Sequence, residues 1–111
     1  MANKDQGPQP TFRQSDLKIL RAFVGGYLHQ DFAEEYKSPA IALSAYCREA
    51  SRKEILDLES DLDRFISATR AMDFGDVKEL FVRELRSGWS PPNRAAIAHL
   101  LRMVRSNLAG H

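Results

Sequence analysis

The stretch from Ser51 to Thr69 constrains the fold more than any other part of this chain. Ser51-Arg52-Lys53-Glu54 has the spacing of a capping box, in which a serine oxygen and a glutamate carboxylate satisfy reciprocal orphan amides at a helix start. Ile55, Leu58, Leu62, Phe65, Ile66 and Thr69 then follow at steps of three and four, which predicts a helix with one apolar face. A single amphipathic helix is marginal in water, so this one must bury its stripe against partners of the same kind.

The rest of the chain supplies them. Leu17, Leu20, Phe23, Val24, Tyr27 and Leu28 mark a first helix behind Ser15 or Asp16 as N-cap. Gly25-Gly26 weakens its last turn, which predicts a bend, a stop or the close approach of another backbone. Ser38-Pro39 opens a second helix lined by Ala40, Leu43, Cys47 and Ala50. Asp76 caps a shorter fourth helix with Val77, Leu80, Phe81 and Leu85, closed by Gly88 as a residue free to adopt positive φ. Ser90-Pro91 starts a fifth, carrying Ile97, Leu100, Leu101, Val104 and Leu108. Period-two alternation and hairpin turn dipeptides are both missing, so the expected fold is all-α, a single compact bundle of about five helices.

Its 111 residues, 43% of them hydrophobic, suffice for one core and not two. Residues 1–14 are polar and proline-bearing and are expected to be a disordered tail, with the helical domain spanning 15–111. The tail lacks the apolar stretch of a secretory signal, and no apolar run approaches the ~20 residues of a membrane span. A lone cysteine, Cys47, excludes an internal disulfide and a cysteine-built zinc cage, which fits a reducing cytoplasm.

Net charge is only +1, which removes the whole-chain basic excess of most small nucleic-acid binders. The balance hides an asymmetry: residues 29–63 carry −5 and residues 78–111 carry +4. Glu54, Asp57, Glu59, Asp61 and Asp63 fall within ten residues that contain no Lys or Arg. Two readings stand. Acids near a helix start complement its dipole, which accounts for Glu54 and Asp57 better than for Asp61 and Asp63. The other reading is an uncompensated acidic face that docks a basic partner.

Catalytic patterns are weak. The three histidines lack metal-binding helical spacing, so no metal or cofactor is expected and the chain reads as a binding protein, not an enzyme. His29-Gln30-Asp31 reads as a turn held by local hydrogen bonds, His99 as a partly buried bundle residue, and Cys47 as a small core residue. Asp73-Phe74-Gly75 matches the kinase metal-binding triplet by chance, its host fold being absent. Arg94, Arg102 and Arg105 keep open an alternative, a small helical nucleic-acid-binding regulator, although they can equally pair with the acids of the third helix. Trp89 is either an interface anchor or a lid on its own core.

The string Gly26-Tyr27-Leu28-His29-Gln30-Asp31-Phe32, followed by Tyr36, resembles a signature of the CdiI-type immunity proteins of bacterial contact-dependent growth inhibition systems, and the likeness extends from about Leu17 to Leu108. The resemblance implies a small helical cytoplasmic protein that binds and neutralises a cognate toxin, the C-terminal domain of a large exoprotein, often a nuclease and therefore basic. Gly26, Tyr27, His29, Gln30 and Asp31 are then expected to serve the scaffold, since toxins vary where this string recurs. The expected toxin-binding residues are Glu54, Asp57, Glu59, Asp61 and Asp63, with Glu34 and Glu35 as neighbours; neither a membrane nor direct nucleic-acid binding is expected.

Overall fold

The structure, a computed structural model, describes residues 16–110. It contains six α-helices, α1 (Lys18–Tyr27), α2 (Phe32–Glu35), α3 (Pro39–Glu49), α4 (Arg52–Ala68), α5 (Phe74–Glu79) and α6 (Arg94–Ala109), and no strand occurs among the described residues. The tail and the candidate cap Ser15 lie outside them.

Helix α4 is the axis of the bundle, packed against α1 on one side and α6 on the other, while α3 closes over α6 and α1. Its stripe, Ile55, Leu58, Leu62 and Phe65, is buried together with Leu20, Phe23 and Val24 of α1, Leu43 and Cys47 of α3, and Ile97, Leu100 and Val104 of α6. Each such large side chain contributes roughly 1.5–3 kcal/mol by leaving water. The local starts follow expectation at two helices: Ser38 Oγ accepts from Ile41 N with Pro39 at the first helical position, and both arms of the Ser51–Glu54 capping box are present.

Elsewhere the structure corrects the sequence reading. Helix α1 has no side-chain cap of its own; Leu17 takes the N-cap position in the left-handed region at φ 56°. Gly25 and Gly26 lie within α1, which continues to Tyr27, and a Cβ at either position would meet nothing within 4 Å, so no other backbone approaches them closely. Asp73, not Asp76, caps α5: its carboxylate accepts from Gly75 N, which also explains the Asp-Phe-Gly triplet. The chain then widens into a π-helical turn, Leu80–Glu84, closed by Leu85 N donating to Leu80 O at 3.3 Å. The last helix starts at Asn93, whose side chain accepts from Ala96 N, and not at Ser90-Pro91. His99 is exposed on α6.

Gly88 has a different task from the one its position suggests. Its φ is not positive; Arg86, at φ 58°, makes that turn. A Cβ on Gly88 would instead lie 2.4 Å from the backbone of His29 and Gln30, and Gly88 N donates to Leu28 O. Only a residue without a side chain lets these two loops touch. The next residue, Trp89, sets its ring edge-on to Phe81 at 5.7 Å, and Phe81 meets Phe65 at 5.8 Å, so Trp89 is a lid on the core.

Candidate functional site

The five carboxylates of α4 fall on two sides of its buried stripe, and the fold engages most of them. Asp61 points at α1, where its Oδ2 accepts from Ile19 N at 2.9 Å and Leu20 N at 3.0 Å. It thus supplies, from another helix, the cap that α1 lacks, and a carboxylate is favoured there by the helix dipole. Glu54 is held in the capping box, its Oε1 accepting from Ser51 N at 2.9 Å. Asp57 pairs with Lys53 at 2.9 Å, which raises the lysine's pKa. On the opposite side, Arg105 of α6 reaches Glu59 at 2.9 Å and Asp63 at 3.6 Å. The acids are therefore not uncompensated: the basic last helix neutralises part of the acidic one within the molecule.

What the linear sequence did not reveal is a tyrosine cluster beside the first of these groups. Tyr27 of α1 stacks on Tyr36 at 5.7 Å and meets Tyr46 of α3 edge-on at 5.4 Å; Tyr46 also packs edge-on to Phe23 at 5.3 Å. The Tyr27 hydroxyl donates to Glu49 Oε1 at 2.8 Å, and this bond, helped by burial, pushes its pKa up to about 12. Tyr46 is also pushed up to about 12, first by burial and then by the negative charges of Glu54, Asp57 and Asp61. Tyr27 lies in the Gly26–Phe32 string and Tyr36 on its flank; the missing signal was that Tyr46 packs onto Tyr27 from nineteen residues beyond it.

Glu34 and Glu35 lie exposed on α2, next to Tyr36. Glu35 Oε1 sits 2.7 Å from His29 Nε2, while His29 Nδ1 accepts from Asp31 N at 3.1 Å, so this imidazole ties the α1–α2 turn together as expected. The surface assembled from α1, α2 and the end of α3 thus combines the half-buried rings of Tyr27 and Tyr36, backed by the buried Tyr46, with carboxylates of Glu34, Glu35 and Glu49, while Glu54 and Asp57 lie at the start of α4. Such a surface offers flat apolar contact, cation–π partners and acceptors for guanidinium groups.

The arginines of the alternative reading are differently occupied. Arg94 donates to Thr69 O at 3.2 Å and to Met72 O, fastening the end of α4, and Arg105 holds Glu59 and Asp63; Arg102 is exposed. Cys47 is buried, and burial pushes its thiol pKa up, the environment of a core residue and not of a nucleophile. Among the described residues there is no cluster of three or more metal-ligating side chains, and no helix is long and apolar enough to cross a membrane.

Comparison with known proteins gives one assignment. Neither curated proteins nor solved structures yielded a match. A family model described as CdiI immunity protein matches residues 16–108, nearly the whole described chain. The chain therefore belongs to the CdiI immunity protein family, whose members neutralise toxins.

Proposed function

We propose that this protein silences a basic nuclease, the toxin domain at the C-terminus of a large exoprotein, by pressing its tyrosine-and-carboxylate surface into the cleft that holds the substrate phosphates. The reading places this event in the bacterial cytoplasm and assigns no catalysis, metal or cofactor to the inhibitor. A nuclease must offer Lys or Arg to its substrate, and carboxylates held at fixed positions compete for those same groups. The observation that carries the reading is the tyrosine cluster: Tyr27, stacked on Tyr36 of the α2 flank, donates its hydroxyl to Glu49, so that rings and a carboxylate share one surface.

The magnitudes are consistent. Lasting inhibition calls for nanomolar binding, about −12 kcal/mol, over roughly 800 Å² per partner. Exposed ion pairs at about 0–1 kcal/mol each do not reach that; aromatic anchors and desolvated bidentate carboxylate–arginine contacts do. Within the acidic set, Asp57, Glu34 and Glu35 are free to serve docking without loss of a helix cap, whereas Asp61 and Glu54 serve the scaffold as well.

The test uses positions whose charge the fold does not need. Glu34→Lys with Asp57→Lys is expected to abolish protection of cells that express the cognate toxin domain and to weaken binding by at least about a hundredfold (roughly 3 kcal/mol), with an unchanged melting temperature. Glu79→Lys with Glu84→Lys, both exposed at α5 and the turn after it, is the charge-matched control. Full protection by the double variant would reject this surface.

A further inference from the structure

The aromatic rings of the toxin-binding surface form a ladder that stops short. Phe23, fully buried in the core, stacks on Tyr27 at 5.9 Å with the ring planes 19° apart, and Tyr27 stacks on Tyr36 at 5.7 Å and 27°. Tyr36 is the last rung: it is half-buried, and no further ring lies against it among the described residues. The backbone turns hard to hold it there. Lys37, the next residue, sits in the left-handed region at φ 70°, which a residue other than glycine adopts at a cost, and Ser38 N donates to Tyr36 O at 2.8 Å. A ring fixed at the surface by a stack rooted in the core can accept one more planar group without losing freedom of its own.

Charge decides what that group is. Glu49 stands 2.8 Å from the hydroxyl of Tyr27, and Glu35 immediately precedes Tyr36. Each has its Oε1 held within the molecule, Glu49 by the Tyr27 hydroxyl and Glu35 by His29 Nε2 at 2.7 Å, while neither Oε2 has a partner among the described residues. Lys37 and Arg48, the cations nearest to them in sequence, pair with neither carboxylate. From Asp31 to Lys37 the chain carries three carboxylates against one ammonium. Negative charge around the open side of a π system selects a cation, and a planar cation continues the stack where an ammonium does not. We propose that Tyr36 is the seat of a single arginine of the toxin, whose guanidinium lies on the ring as the next rung and turns its N–H groups to the carboxylates of Glu35 and Glu49. This rests on the toxin-docking reading of the surface and adds the one contact that anchors the complex. Lysine has neither the plane nor the fork of donors to meet a ring and two carboxylates at once.

The test varies the ring alone. In isothermal titration calorimetry with the cognate toxin domain, Tyr36→Phe is expected to keep most of the affinity, since the face remains, and Tyr36→Leu to lose at least about tenfold. Fluorinating the phenyl ring of the Tyr36→Phe chain one atom at a time withdraws negative charge from its face with little change of shape. Each added fluorine is expected to weaken binding further, with an unchanged melting temperature. Among single Arg-to-Lys replacements in the toxin, one is expected to be non-additive with Tyr36→Leu. An affinity indifferent to fluorination overturns the proposal, because an apolar or aromatic group would then cover the ring. So does a fluorine-dependent affinity with no coupled arginine, which would give the seat to another cation. If Glu34→Lys with Asp57→Lys abolishes binding while the ring series is flat, the docking surface stands and only the arginine seat falls; full binding by both sets of variants removes the surface and the seat together.

Discussion

Helices α1 and α4 pack side by side and are stabilised in opposite ways. Helix α4 has 17 residues with no Gly or Pro and begins with a capping box of its own. Helix α1 has ten residues, includes Gly25-Gly26 near its end, and starts from a leucine in the left-handed region without a side-chain cap. Its fastenings all come from elsewhere. Asp61 caps its amides, Arg21 ties it to Glu84 O at 2.8 Å, Tyr27 ties it to Glu49, and Gly88 N holds Leu28 O just past its end. One helix carries its order in its own sequence; the other borrows it, and the lenders include residues that look on paper like surface charge.

The sharpest break in this comparison is Gly88→Ala. The new Cβ would lie 2.4 Å from backbone atoms of His29 and Gln30, which cannot swing aside as a flexible side chain does. The expected cost is about 3 kcal/mol or more, read by denaturant unfolding. Hydrogen exchange should show the His29–Asp31 turn loosening before α4 does. Second is Asp61→Ala, which strands two amides at the start of α1 and leaves a carboxylate's dipole interaction unmade. A loss of about 2–3 kcal/mol is expected. Asp61→Asn, which keeps one acceptor oxygen, should lose less. A neutral Asp61→Ala would show that α1 does not depend on its borrowed cap.

The same contrast explains what was legible in the sequence. Everything that depends on neighbours within one turn was readable: the all-α class, the stripes of the main helices, the caps Ser38 and Ser51. Errors arose where two residues compete for one local role. Asp73 and Asp76 are both good caps three positions apart, and a start at Phe74 satisfies both by placing Asp76 in the first turn. Asn93 wins over Ser90 after two prolines, a choice that neither proline decides. The candidate site was legible only as composition. Counting found the acids, but whether a carboxylate docks a partner, caps a distant helix or meets Arg105 depends on contacts more than forty residues apart. The Tyr27–Tyr36–Tyr46 cluster was hidden because its rings meet only when α3 and the α2 flank pack onto α1.

Alkaline pH strains the borrowed order of α1 where it packs on Tyr46 of α3. The folded-state pKa of Tyr46 is raised from 10.0 to about 12, so folding favours the neutral phenol. That contribution is fully present below pH ~10, where the unfolded chain is also protonated, and is lost as pH rises through about 12. Allowing for solvent screening, the loss is about 1–2 kcal/mol. Tyr27, raised by its bond to Glu49 and by burial, adds in the same direction. Unfolding midpoints measured from pH 9 to about 12 should therefore fall, and Tyr46→Phe should flatten the slope. A smaller effect is expected at the self-sufficient helix: Ser51→Ala removes one arm of its capping box for about 1 kcal/mol. If Ser51→Ala instead costs more than Asp61→Ala, the ranking of local over borrowed order is inverted.

The smallest effect goes in the stabilising direction and tests the weakness of α1 itself. Gly25 and Gly26 are exposed, lie inside the helix, and have open space where a Cβ would go. Neither supports a turn, a positive φ or a close contact within the molecule. In a helix each glycine costs roughly 0.5–1 kcal/mol relative to alanine, through the entropy of the unfolded chain. Gly25→Ala is therefore expected to raise stability by that amount, read as an increase in denaturant midpoint at constant slope. Combined with Asp61→Ala the two changes should add, since one acts on the backbone within α1 and the other on its first amides, more than a turn away. A Gly25→Ala chain that is no more stable would mean that α1 is limited by its distant fastenings alone, so that improving its own sequence gains nothing.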